Sequence, residues 1–165
     1  MAQVSSACTK RVLSMLQDAT GLAYTVPAIA EREGVPLRAV GPQQVTARNI
    51  PADVAEKTIG VIYPAVQVYC EKITNKLREK FRTFSGTVKM AVDVRVSRDR
   101  LEPLERDLSL YVEAVTEVLD AHRGDWGQGM FYAGGYEVSF GAAKQGGKNF
   151  IQTAKVTFDV EVSIY

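Results

Sequence analysis

Histidine and cysteine are almost missing from this chain: His122, Cys8 and Cys70 are the only ones in 165 residues. Three such side chains cannot fill the usual four positions of a structural zinc site, so any zinc would have to recruit carboxylates. Two cysteines far apart in sequence make no disulfide framework, which points to a reducing compartment. Nucleophilic cysteine chemistry needs a lowered thiol pKa and a nearby base. The sole imidazole falls at the far end of a different helix from Cys8, so both cysteines read as packing residues. No catalytic residue, metal ligand or cofactor is expected. An excess of charge of one sign is lacking too. Lys+Arg 20 against Asp+Glu 19 leaves a formal +1, too little for tight, sequence-independent nucleic-acid binding as a main activity. No apolar run approaches the ~20 residues that span a bilayer. Met1 to Leu13 lack the basic start and apolar core of a secretory signal.

What is present is an ordinary globular balance, 46% hydrophobic and 24% charged. A single domain of this length buries enough surface to fold without staples. Val4, Cys8, Val12, Met15, Leu16 and Ala19 recur at three- and four-residue spacings and predict an N-terminal helix stopped near Gly21. A short helix is expected from Pro27 to Glu33, with Gly34 at its C′ position. From Val35 to Pro51 no period lasts, and Pro36, Gly41, Pro42, Asn49 and Pro51 punctuate the chain. This stretch reads as an extended arm, too long for a plain connector. Pro51 to Lys57 could form one helical turn.

Four strand-like stretches and one long helix follow. Val61 to Tyr69 contains Pro64, so it is an edge strand or a strand that starts after Pro64. Ser85 to Ser97 alternates, with Val88, Met90, Val92, Val94 and Val96 on a buried face and Thr87, Lys89, Asp93, Arg95 and Ser97 on a wet one. Leu101 to His122 carries one apolar stripe through Leu101, Leu104, Leu108, Tyr111, Val112, Val115 and Leu119, with Val118 at its margin and Ser97 or Asp99 as its cap. Tyr132 to Phe140 is broken by Gly134 and Gly135, which suggests a bulge or a late start near Tyr136, and Phe150 to Tyr165 alternates again. Between these last two lies a polar hairpin loop, Ala142–Asn149, expected to be mobile at its tip. The expected fold is α+β: an antiparallel four-stranded sheet with one long amphipathic helix on one face, plus the N-terminal helix and extended arm. Residues 1–60 form the helix and arm, and residues 61–165 the α+β body.

Familiar chemical motifs are absent. The late glycines form neither G-x-x-x-x-G-K-[ST] nor G-x-G-x-x-G between a strand and a helix. Arg123-Gly124-Asp125 has a local reason as a helix stop and turn. Lys72, Lys76, Arg78, Lys80 and Arg82, interleaved with Phe81 and Phe84, could meet phosphates or an acidic neighbour, or could be a solvated connector.

From Ile62 onward the chain resembles the tail terminator and neck (head-tail joining) proteins of long-tailed bacteriophages. The resemblance rests on Ile62-Tyr63-Pro64-Ala65-Val66-Gln67-Val68-Tyr69 and the alternating strand Gly86 to Ser97. It continues through the helix opening near Asp99, with Tyr111-Val112-Glu113-Ala114-Val115 at its middle, then Gly134-Gly135-Tyr136-Glu137 and the strand Gln152 to Ile164. It implies a non-enzymatic virion subunit of the tail and neck, assembled in the host bacterial cytoplasm. Six copies would form a ring that caps the tail tube and joins it to the head-tail connector. DNA would pass through the hole without specific binding, and no membrane would be involved. The contacts expected in such a ring are Pro42, Arg48 and Pro51 in the arm and Lys144, Gly146, Gly147 and Lys148 in the hairpin. The alternative is a small cytosolic nucleic-acid- or peptide-binding module.

Overall fold

Alternating apolar residues build the centre of the protein. The computed structural model describes residues 2–58 and 60–165; Met1 and Ile59, within the 1–60 segment, lie outside the described residues. In chain order the elements are α1 (Ala2–Gln17), α2 (Leu22–Glu33), a 3₁₀ turn (Pro42–Gln44), β1 (Val45–Ala47), α3 (Ala52–Thr58), β2 (Ala65–Asn75), β3 (Phe84–Arg98), α4 (Leu101–Ala121), β4 (Gly124–Gly127), β5 (Met130–Tyr132), β6 (Glu137–Phe140), β7 (Lys144–Gly146) and β8 (Asn149–Ile164). β3 and β8 pair antiparallel without a break, from Phe84 opposite Ile164 to Arg98 opposite Phe150. Their even-numbered side chains share one face, where Val88, Met90, Val92, Val94, Val156, Phe158 and Val160 are buried. α4 lies against both strands. Its Leu104, Leu108, Val115 and Leu119 are buried, as a 3.6-residue stripe facing two alternating strands requires. α1 packs on β1, β2 and β3, and α2 packs along α4.

The sheet is larger than expected, and mixed. Eight strands run in the order β1-β2-β3-β8-β5-β4, with β6 and β7 also pairing to β8. β1 is parallel to β2 and the other pairs are antiparallel, and the sheet curls into a half-barrel beside four α-helices. The four-stranded antiparallel sheet is therefore corrected. The added strands are three or four residues long, too short for a two-residue period to register. In the stretch Tyr132–Phe140 the strand starts late, as β6 at Glu137, after Gly134 and Gly135 at φ +100° and +87°, and β5 ends before them at Tyr132. β2 begins after Pro64 and is an interior strand between β1 and β3.

The extended arm is corrected as well. Val40 and Val45 are buried in the same core as α1 and α4. Side chains stitch the segment to its surroundings. Tyr111 Oη donates to Arg38 O at 2.8 Å, Gln17 Nε2 to Pro42 O at 3.1 Å and Val45 O at 2.9 Å, and Gln44 Nε2 to Pro64 O at 2.8 Å. These bonds are between residues distant in sequence, which is why a local reading finds no period. α2 starts five residues before the expected Pro27, with that proline inside the helix. Burial of Leu22, Thr25 and Val26 offsets the missing amide donor. Arg100, not Ser97 or Asp99, is the N-cap of α4.

Candidate functional site

Two surfaces stand out, at opposite ends of the β3–β8 ladder. The first begins where the chain leaves β1. Ile50 O accepts from Gln67 Nε2 at 3.1 Å and also from Arg95 Nη2. Gln67 and Arg95 lie on the sheet face away from α4, so the chain crosses that face as a strap before entering α3. This covers side chains expected to be wet: Asp93 and Arg95 are only 7% and 6% exposed. Tyr69 Oη donates to Asp93 Oδ1 at 3.2 Å. Burial raises the Asp93 pKa, opposed by the charges of Arg95 and Lys155. Arg95 lies 3.8 Å from Asp93, and its Nε has no hydrogen-bond partner. Its firmest contact is the strap carbonyl, so it acts as a fastener for the strap.

The strap delivers Pro51 and α3 alongside the β7–β8 hairpin. Between them is an open cleft of about 430 Å³, lined by Pro51, Asp53, Glu56, Lys144, Gly146 and Ile151 among others. Tyr63 Oη donates to Glu56 Oε1 at 2.8 Å, and burial followed by this carboxylate raises the phenol pKa. Three of the seven expected contact residues, Pro51, Lys144 and Gly146, therefore meet across one cleft. Gly147 and Lys148 form the turn just beyond it. Pro42 and Arg48 do not join them: Pro42 opens the 3₁₀ turn beneath Gln17, and Arg48 is exposed between β1 and the strap. The hairpin expected at Ala142–Asn149 is present with a shorter turn, because Lys144–Gly146 are already in a strand. Gly146 pairs with Asn149, leaving a two-residue turn with positive φ at Gly147 alone, +70°, the pattern of a II′ turn. Sequence reasoning missed Asp53 and Glu56; their signal was an acidic pair three apart, just after a helix-starting proline.

The second surface is the β2–β3 hairpin. Asn75 knots its base: Oδ1 accepts from Leu77 N at 3.2 Å and Ser85 N at 3.1 Å, and Nδ2 donates to Thr83 O at 3.2 Å. Glu79 accepts from Arg82 Nε at 3.2 Å and Ser163 Oγ at 3.0 Å, while the Arg82 guanidinium stacks 3.6 Å above the Tyr165 ring. Leu77 and Phe81 take φ +46° and +65°, a region that costs side-chain-bearing residues energy. Phe81 is nonetheless 94% exposed and Leu77 60%. Lys76, Arg78 and Lys80 alternate with them along the chain and make no ion pair among the described residues, although Lys76 and Arg78 share a groove on the sheet with Asp159 and Glu161. The basic stretch seen in the sequence thus divides. Lys72 lies on the strand, opposite Lys89, Arg82 is engaged by Glu79 and Tyr165, and Phe84 is buried.

Cys8 is fully buried with its Sγ 3.6 Å from Met130 Sδ, and burial pushes its thiol up to about 12. That opposes thiolate formation near neutral pH. His122 Nδ1 lies 2.8 Å from Val118 O at the end of α4, and Trp126 Nε1 donates to His122 O at 2.7 Å. Among the described residues no group of three or more His, Cys, Asp or Glu is placed to hold a metal ion, and no helix is long and apolar enough to cross a membrane. Compared with protein-family models the chain matches none, and no curated protein matches it in sequence.

Proposed function

We propose that this chain is a structural virion subunit of the tail terminator class: a ring former that caps a tail tube and joins it to the head connector. The observation that carries the reading is the β2–β3 tip. A monomer has no use for a phenylalanine that is 94% exposed on strained backbone, whereas an assembling subunit does. The sheet supports the same reading. β1 and β4 are its end strands and β6 and β7 cover only parts of β8, so short edges remain open for neighbouring copies. The near-neutral charge of +1 suits a channel through which DNA slides without being gripped. The DNA would pass as cargo, and the working contacts would be between proteins.

The test is the mass and shape of the purified protein, followed by its addition to tail tubes lacking their terminal ring. A ring of six subunits that stops tube growth and restores joining to heads is expected. A persistent monomer that binds DNA in a salt-dependent way would refute the ring reading in favour of the nucleic-acid-binding alternative.

A further inference from the structure

We infer that the Leu77/Phe81 tip of one copy docks into the cleft between α3 and the β7–β8 hairpin of the next, making a head-to-tail joint. The inference rests on the ring reading above and specifies its contact.

The two surfaces are complementary in three respects. The tip presents two exposed apolar side chains, with Lys80 next to Phe81 in the chain, while Lys76 and Arg78 line the adjoining sheet groove together with Asp159 and Glu161. The cleft presents Asp53 and Glu56 on one wall, with Pro51 and Ile151 as apolar lining. Its volume of about 430 Å³ falls in the roughly 300–1,000 Å³ range of pockets that enclose a ligand group. Lys144 also lines the cleft, and a cation beside an aromatic ring is favourable.

Position makes the joint intermolecular. The tip projects where Phe84 pairs with Ile164, and the cleft opens near Phe150, the partner of Arg98. The 15 residues of β3, at ~3.3 Å each, put these ends on the order of 45 Å apart. A tip cannot reach the cleft of its own chain. Two different patches that fit each other make a heterologous contact, which closes into a ring when the rotation between copies allows. The Asn75, Glu79 and Arg82 contacts hold the tip in shape before docking, so little ordering entropy is lost on association.

The test is zero-length carbodiimide cross-linking of the assembled protein, made from mixed light and isotope-labelled chains. Inter-chain links from Lys76 or Lys80 to Asp53 or Glu56 are expected. Phe81→Asp should abolish them and raise the concentration for half-assembly at least about tenfold, with no fall in the melting temperature of the protein at dilutions where both forms are unassembled, because the side chain is exposed there. Asp53→Lys, on the opposite surface, should weaken assembly in the same way. Pairing it with Lys80→Glu should recover part of the loss. Rings that form equally well from Phe81→Asp, or tip lysines linked elsewhere, would overturn the joint and leave the ring reading standing. Intact Phe81→Asp rings that no longer bind tubes or DNA would also overturn it, by giving the tip a different partner. A wild-type protein that never assembles would overturn both.

Discussion

Gly86→Ala is the sharpest test of how the β2–β3 hairpin is aimed. Gly86 pairs with Asn75 at the hairpin base. A Cβ placed there would lie 1.9 Å from Thr74 O, where ordinary contact begins near 3.4 Å. The strands must therefore separate by about 1.5 Å, since the obstacle is backbone and cannot rotate away. Opening by that amount would take the Lys76 N to Ser85 O bond from 3.0 Å to about 4.5 Å, beyond hydrogen-bonding reach. The Asn75 Oδ1 contact to Ser85 N and the Asn75 Nδ2 contact to Thr83 O, which also cross between the strands, would go with it. Three bonds at a net ~0.5–1.5 kcal/mol each sum to ~1.5–4.5 kcal/mol. For a chain of this size that corresponds to a melting temperature lower by roughly 3–18 °C. Urea unfolding and calorimetry give the stability, and sizing at a temperature where the variant remains folded gives assembly. Both should fall, assembly further, because the tip hangs from this base. A variant within about 0.5 kcal/mol of wild type, the range of unremarkable surface changes, would show that the strands accommodate the methyl group and that the close approach does not fix the hairpin.

Two further outcomes test the core and its titration. Leu108 is fully buried on α4, so Leu108→Ala should cost ~2–5 kcal/mol in urea unfolding; a loss below about 0.5 kcal/mol would mean that another face of α4 meets the sheet. Burial, with Asp107 and Asp120 as lesser causes, pushes Tyr111 and Tyr132 up to about 12. Their native phenols keep protons that the unfolded chain releases near pH 10, so stability should fall as pH rises from about 10 to 12, by on the order of 2–3 kcal/mol for each. In a phenolate absorbance titration these two should ionise only with unfolding. Ionisation of all 7 tyrosines near pH 10 in a still-folded protein would refute that burial argument.

The long, periodic elements were legible in the sequence and the joints between them were not. Leu104, Leu108, Val115 and Leu119 declare α4, and Val88 to Val94 declare the buried face of β3, because each repeats a local period over many residues. β1 has three residues and is made a strand by β2, 21 positions later in register: Val45 pairs with Val66. No local pattern could announce it. The strap is fixed by Arg95 and Gln67 through a single carbonyl at Ile50. For that reason Asp93 and Arg95, the polar half of an apparently wet face, turned out buried. The same contact explains the site. Pro51, Lys144 and Gly146 could each be picked out as turn or loop residues. What brings them to one cleft is tertiary, a strap crossing a sheet, and its acidic wall of Asp53 and Glu56 appears only once α3 has been laid beside the hairpin.

The formal charge of +1 shows how an average conceals a surface. Taken as a total, it argues that nothing on the molecule attracts a charged partner. Resolved in space, Lys76, Arg78 and Lys80 gather at one end of the β3–β8 ladder and Asp53 and Glu56 near the other. Charges separated in this way cancel in the sum but not in the field close to each end. A head-to-tail array of such subunits would bring each basic end to an acidic one, while tip-to-tip association would bring like charges together. The arrangement therefore favours one mode of association and disfavours the symmetric one. Exposed ion pairs of this kind are worth only ~0–1 kcal/mol singly, so in the proposed joint they would select the orientation while the apolar contact of Leu77 and Phe81 would supply most of the affinity. Fixing those two side chains on left-handed backbone costs the free subunit stability. That cost would be offset in the proposed assembly, where the tip would be covered, and not in the monomer, where it is bare.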